Sequence, residues 1–250
     1  MRAEVPALGA ALDAPTPGAP EKAAVRSMFD RIAPRYDLLN RVLSAGTDVR
    51  WRRRCIDLLA LTEGGRVLDL CTGTADLLIE CLIRGERSRG VGIDLSSGML
   101  QRGRGKLRTA GLDKRAALLA GDAERLPLAA GLFDGVVVAF GIRNVGDVDA
   151  ALREVLRVLR PGGRLVILEF SIPRGLLGRV YRLYFTRVLP VLGGLVSGNR
   201  EAYAYLPVSV ERFDSPQALA GRLERVGFAG VSARPLSGGI AHLHLAEKPA

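Results

Sequence analysis

The sequence predicts an α/β protein: a mostly parallel, doubly wound sheet of seven strands with helices on both faces. Three observations predict it. Short β-branched runs alternate with helical segments from Arg66 onward, and parallel strands need such crossovers to connect them. Some strand runs are apolar almost without interruption, as in GVVVAF (135–140), which suits burial on both faces. RPGGR (160–164) carries the Pro and Gly pair that ends a helix and turns into the next strand.

Residues 1–24 are rich in Ala and Pro and interrupted by Glu4, Pro6 and Asp13, so they are expected to form a flexible tail, not a signal or transit segment. Residues 25–250 are expected to form one domain, opening with a helical stretch at 25–63. Strands are placed at RVLDL (66–70), GVGID (90–94), AALLAG (116–121), GVVVAF, GRLVILEF (163–170), FAGVSARP (228–235) and AHLHLAEK (241–248). Helices are placed between them at 74–85, 97–111, 147–159 and 216–226. The stretch 171–215 breaks the alternation and reads as a helical insertion before the last strands.

Composition narrows the function classes. The chain has 250 residues, 48% of them hydrophobic and 25% charged, which is ordinary for a soluble globular domain. The net charge of +10 fits nucleic acid or an anionic membrane. Only four of the 36 basic residues are lysines, and aromatics reach just 5%. Neither stacking platforms nor a recognition helix is apparent, so nucleic acid is not expected as a partner, and a basic membrane-facing surface is favoured. Leu176 to Val196 is long enough to span a bilayer but contains Arg179, Arg182, Arg187 and Pro190. Each central Arg costs about 2.5–3.5 kcal/mol there, so no span is expected. Within it, Leu177, Tyr181, Tyr184 and Val188 make one apolar stripe, which either packs inward or faces a lipid tail or bilayer. Cys55, Cys71 and Cys81 have no metal-site spacing and read as core residues of a reducing, cytoplasmic compartment.

In a doubly wound sheet the ligand lies beyond the carboxyl ends of the strands. VLDLCTGTADLL (67–78) leaves the first strand through Gly73 and Thr74 into a helix, bringing backbone N–H groups toward that edge. It lacks the third glycine of a dinucleotide fingerprint. Asp94 closes the second strand, where a carboxylate can accept both hydroxyls of a ribose. Asp122 and Ala123 follow the third strand and suit the edge of an adenine. Taken singly, Asp69 could cap a helix, Asp94 could cap the next and Asp122 could start a turn. Three carboxylates converging on one edge, however, would repel one another unless they bound something with donors. Arg143 and Asn144 follow the fourth strand at the same edge; the alternative for Arg143 is an ion pair with Asp147 or Asp149.

In order and spacing, these pieces resemble the class I S-adenosylmethionine-dependent methyltransferases. More narrowly, MFDRIAPRYDLLNRVLSAG (28–46), WRRR (51–54), FGIRNVGD (140–147), EVLRVLRPGGRLVILEFSIP (154–173) and NREAYAYLPVSVERF (199–213) resemble the quinone-biosynthesis C-methyltransferases. The resemblance implies a Rossmann-like fold with an N-terminal helical lid, S-adenosylmethionine as methyl donor and no metal. It implies a cofactor site of Tyr36, Asp69, Gly73, Thr74, Asp94, Asp122, Ala123 and Ala139. It makes Arg143 and Asn144 the catalytic pair, with Tyr203, Tyr205 and His244 toward substrate; the alternative for these three, as for Tyr36, is packing in the core. The implied partner is a polyprenylated quinol, demethylmenaquinol first and a polyprenyl-methoxybenzoquinol second, with membrane-surface contact at the inner face and a homodimer as further expectations. Two departures stand out: Asp48 replaces a His common in relatives, and GIAHLHLAEK (239–248) lacks the later Gly of the C-terminal pattern.

Such a reaction needs an electron-rich ring carbon, which loss of the phenolic proton provides; a fixed guanidinium offers forked donors to the phenolate. The rival readings are an NAD-dependent oxidoreductase, a non-catalytic adaptor of a quinone-biosynthesis complex, and a methyltransferase for another phenolic or secondary metabolite.

Overall fold

The computed structural model describes residues 21–44, 46–173, 175–184, 187 and 200–250. Seven strands form one sheet: β1 (Arg66–Leu70), β2 (Arg89–Asp94), β3 (Ala116–Ala120), β4 (Phe133–Ala139), β5 (Leu159–Phe170), β6 (Ala229–Leu236) and β7 (Ala241–Glu247). Their order is β3-β2-β1-β4-β5-β7-β6. All neighbours pair in parallel except β7, which runs antiparallel between β5 and β6. The chain winds outward from β1 in one direction and then from β4 in the other, so the topological switch lies between β1 and β4, where such sheets bind ligands.

The helices are α1 (Lys22–Ile32), α2 (Tyr36–Leu43), α3 (Thr47–Leu59), α4 (Asp76–Arg84), α5 (Ser97–Thr109), α6 (Val148–Val158), α7 (Gly175–Leu183), α8 (Arg200–Arg212) and α9 (Pro216–Val226). The continuous apolar runs are explained by the two layers. Val137 of β4 packs with Leu59, Leu78 and Leu107 from α3, α4 and α5. Its neighbours Val136 and Val138 turn to the other face and pack with Leu152, Val155 and Leu223 from α6 and α9. All three valines are fully buried, each contributing about 1.5–3 kcal/mol.

Helix starts follow local chemistry. Ser96, Asp147 and Ser215 cap α5, α6 and α9, each side chain accepting from the N–H three residues on at 3.1, 2.9 and 3.2 Å. Gly227, at φ +112°, ends α9 in the left-handed conformation.

Two of the boundaries that differ from expectation have a visible cause. RPGGR lies inside β5: Phe133 pairs with Leu159 but Gly135 pairs with Arg164, so the turn is a bulge. It is held because Gly162 N–H donates to Lys248 O and Lys248 N–H to Gly163 O, both at 2.9 Å. Helix α1 begins at Lys22 instead of residue 25 because the Lys22 ammonium is bound across the molecule to Asp122 and Glu124, at 2.7 and 2.6 Å. The rest of the expected tail, 1–20, lies outside the described residues.

The insertion carries α7 and α8. Tyr181 and Tyr184 pack inward against Met28, Ile32 and Met99, so this part of the expected stripe does not face outward. The outward apolar residues of α7 are Leu176 and Leu183, 76% and 58% exposed. Val188 and the Leu177 side chain lie outside the described residues. No described helix is long and apolar enough to cross a membrane.

Candidate functional site

A cavity of about 720 Å³, measured out to its open mouth, lies at the carboxyl ends of β1 to β4 beneath α1, within the usual size of small-molecule sites. β1 contributes Leu70, Cys71 and Gly73, and β4 contributes Ala139, Phe140 and Gly141. Cys71 and Phe140 leave their strands at φ +55° and +57°, left-handed conformations that non-glycine residues rarely hold outside sites that need them. The two exits nearly touch: a Cβ on Gly141 would stand 2.3 Å from the Cys71 Cβ. Gly73, at φ +55°, keeps the next turn low against the cavity.

Asp94 stands on the second strand exit. Its carboxylate accepts Gly73 N–H and Ser96 N–H, both at 2.8 Å. Burial pushes this carboxyl above its usual range, and those two backbone donors pull it back. Asp122, after β3, accepts Glu124 N–H at 3.0 Å and the Lys22 ammonium. Ala123 lines the wall beside it, and Tyr36 closes the lid side. The Tyr36 hydroxyl is raised by burial against the opposing pull of an Asn40 hydrogen bond and the Arg52 and Arg143 charges.

The structure therefore brings together Tyr36, Gly73, Asp94, Asp122, Ala123, Ala139 and Asn144 around one cavity. It places Asp69 and Thr74 elsewhere. Asp69 is 1% exposed and lies under the turn, accepting Thr72 O–H at 2.6 Å and Leu78 N–H at 3.1 Å. Burial raises its carboxyl to about 7, despite those two bonds. Of the three strand-end aspartates, Asp94 and Asp122 thus face the cavity, and Asp69 organises the turn that leads into α4. Thr74 donates to Asp37 of α2 at 2.5 Å and accepts from Lys106 at 3.2 Å, so it fastens the lid.

Arg143 sits in a single 3-10 turn, Ile142–Asn144. It pairs with neither Asp147 nor Asp149: the first caps α6, and the second bonds Arg222 at 2.8 Å. Its partner is Glu169 at 2.7 Å, with side chains 6% and 2% exposed. Arg143 also bonds Phe140 O and, at 3.3 Å, Ser209 Oγ of α8. Its guanidinium carbon lies 5.6 Å from the centre of the Phe170 ring. That ring stacks on Phe140 at 4.3 Å, with Trp51 tilted against Phe140 and edge-on to Phe170. Asn144 lines the cavity and accepts the Tyr205 hydroxyl at 3.0 Å, linking α8 to the site.

His244 takes the place of a core histidine and not one beside the cavity. It is 2% exposed, and its Nε2 lies 3.0 Å from Pro216 O at the start of α9, because its side of β7 faces that helix and not the cavity. The Tyr203 side chain lies outside the described residues. Sequence reasoning missed Lys22, Asp30 and Glu169. Only Glu169 had a visible signal, an acid interrupting the apolar strand VILEF; the other two need the lid folded down. Among the described residues, no group of three or more His, Cys, Asp or Glu is placed to hold a metal ion.

Comparisons with known proteins agree with this architecture. The model of the "ubiE/COQ5 methyltransferase family" matches residues 18–248. A demethylmenaquinone methyltransferase of Thermus thermophilus is 50% identical over 89% of this chain and 100% of its own length. A ubiquinone/menaquinone biosynthesis C-methyltransferase UbiE of Geobacter sulfurreducens is 47% identical, over 90% of this chain and 88% of its own. Among solved structures, a SAM-dependent methyltransferase of Thermotoga maritima, described as a possible histamine N-methyltransferase, has TM-score 0.62 at 20% identity, covering 89% and 99% of the two chains. At that identity the likeness concerns the fold alone. With a family model spanning nearly the whole chain and a cavity at the switch point of a seven-stranded sheet, the protein is an S-adenosylmethionine-dependent methyltransferase and belongs to the ubiE/COQ5 methyltransferase family.

Proposed function

We propose that the protein C-methylates a polyprenylated quinol, with demethylmenaquinol as the acceptor. The observation that carries this reading is Arg143: a buried guanidinium set against the Phe170 ring, next in sequence to the Asn144 that lines the cavity. A hydrophobic phenol is the ligand class that such a setting suits.

The cavity fits the methyl donor. Its volume is adequate, Gly73 admits close backbone approach, and a buried carboxyl held above its usual range gains from new donors. Asp94 would take the ribose hydroxyls, Asp122 and Ala123 the adenine edge, and Tyr36 and Ala139 would cover the remainder. When bound, S-adenosylmethionine supplies an electrophilic methyl group. The chain's own residues do the rest. Arg143 donates to the acceptor oxygen and stabilises its deprotonated form, Asn144 orients the second oxygen, and the lid excludes water.

Two observations favour finer points. The relatives carry names for both naphthoquinol and benzoquinol pathways, so the polyprenyl-methoxybenzoquinol remains the second reading. The net charge of +10 together with exposed Leu176 and Leu183 suits docking at an anionic membrane surface, where the acceptor's tail resides. The test is methyl transfer from labelled S-adenosylmethionine to each reduced acceptor, with mass detection. Methylation of the naphthoquinol alone is expected; transfer to neither, with donor binding intact, sinks the quinol reading.

A further inference from the structure

The buried acid on β5 has no place in the cofactor cavity, yet it is the polar group most completely withdrawn from water near Arg143. Glu169 is 2% exposed, and a carboxylate is removed from water that far only with compensating partners. Its Oε1 accepts Arg143 Nη1 at 2.7 Å and Phe170 N–H at 2.8 Å, while Oε2 faces the Arg143 backbone N–H at 3.4 Å. Arg143 Nη1 also bonds Phe140 O, and Nε bonds Ser209 Oγ. The single N–H of Nε and both N–H bonds of Nη1 are therefore taken. Among the described residues, Nη2 makes no hydrogen bond.

Three tyrosine hydroxyls fall within the influence of the Arg143 charge. Burial raises the hydroxyls of Tyr36, Tyr181 and Tyr205, and the Arg143 charge opposes the rise in each, although they come from α2, α7 and α8. Because the guanidinium is rigid and planar, holding Nη1 and Nε fixes the direction in which the two N–H bonds of Nη2 point.

We propose that Glu169 is the positioning residue for Arg143: it pins the Nη1 corner of the guanidinium so that the free Nη2 corner is presented to the oxygen of the acceptor ring. Glu169 acts through Arg143 and touches neither donor nor acceptor. The quinol reading enters only as the identity of that acceptor.

The test uses the full chain and a chromophoric naphthol, 2-nitro-1-naphthol, whose phenolate absorbs apart from its neutral form. Absorbance titration of the bound naphthol gives its ionisation midpoint directly, without turnover. In the wild type the midpoint is expected below that of the free naphthol. R143Q removes the lowering. E169Q retains an acceptor at Oε1, so it retains at least the wild-type lowering. E169D withdraws the acceptor by one methylene, loses most of the lowering and lowers kcat on the quinol about 10- to 100-fold. Calorimetric affinity for S-adenosylmethionine stays within about twofold in all three, because Glu169 and Arg143 do not line the cavity.

A wild-type midpoint in E169D, or failure of E169Q alongside E169D, overturns the proposal. So does donor affinity that falls in parallel with turnover, or a naphthol that the wild type does not bind. Failure of the quinol reading looks different: no quinol is methylated by the wild type, while the naphthol midpoints still separate E169D from E169Q.

Discussion

Asp94 and Asp69 close neighbouring parallel strands, and burial raises both carboxyls, but only Asp94 meets the cavity. Their replacements should therefore differ. Asp94→Ala removes the acceptor proposed for two ribose hydroxyls; at about 1.5–3 kcal/mol for each charge-assisted bond, calorimetry should show at least a 100-fold loss of S-adenosylmethionine affinity. Arg143→Ala should leave that affinity unchanged and lower kcat by about 10²–10³-fold; full turnover would rule out the phenolate anchor. Asp69 makes a pH prediction. Its folded value of about 7 lies above the unfolded value near 3.9. Its contribution to stability is full below pH 4 and is lost as pH rises through 7, by roughly 4 kcal/mol at most. Asp69→Asn keeps an acceptor for Thr72 and Leu78 but cannot ionise. Relative to this variant, the wild-type Tm should fall between pH 4 and 7 and then level off; parallel Tm curves would refute the assignment.

Helix α1 shows how an element serves as a lid. It is fastened at both ends to the loops that shape the cavity. Lys22 reaches Asp122 and Glu124 beyond β3. Asp30 accepts Ser96 O–H at 2.6 Å and Gly98 N–H at 2.8 Å at the start of α5, where the helix dipole favours a carboxylate. The Lys22 side chain is 41% exposed, so its pair contributes only about 0–1 kcal/mol, and less in salt. Asp30, one-third exposed, accepts two charge-assisted bonds at a helix terminus and should matter more. Asp30→Ala is therefore expected to speed amide exchange across 22–32 and to weaken donor binding about tenfold, with Lys22→Ala at about threefold. Equal effects, measured by hydrogen exchange and calorimetry, would show that the lid is held by its apolar face, Val25, Met28 and Ile32.

At the scale of the whole molecule, the proposed membrane docking draws on charge and exposed apolar groups together. With a net charge of +10 and Leu176 and Leu183 outward on α7, co-sedimentation with anionic vesicles should be strong at low salt and fall as salt screens it. Leu176→Asp should weaken it further by removing an apolar contact and adding a negative charge. Binding to neutral vesicles that is as strong, and indifferent to both changes, would remove the membrane-surface reading.

The sequence by itself determined the sheet, its helices and the edge where the ligand belongs, because those rest on local patterns: apolar runs, capping residues and glycine turns a few residues apart. Asp94, Gly73 and Asp122 were legible for the same reason, each closing a strand whose direction was already known. Local pattern could not distinguish Asp69 from Asp94, since both end a strand and their difference is which side of a turn each carboxylate enters. Nor could it find the partner of Arg143. Asp147 and Asp149 are near in sequence, but Glu169 is nearer in space because β5 lies beside β4. The lid depends on contacts between Lys22 and Asp122 and between Asp30 and Ser96, separated by 100 and 66 residues. Only the tertiary structure decided those pairings, because each follows from how packed elements bring together groups that are far apart along the chain.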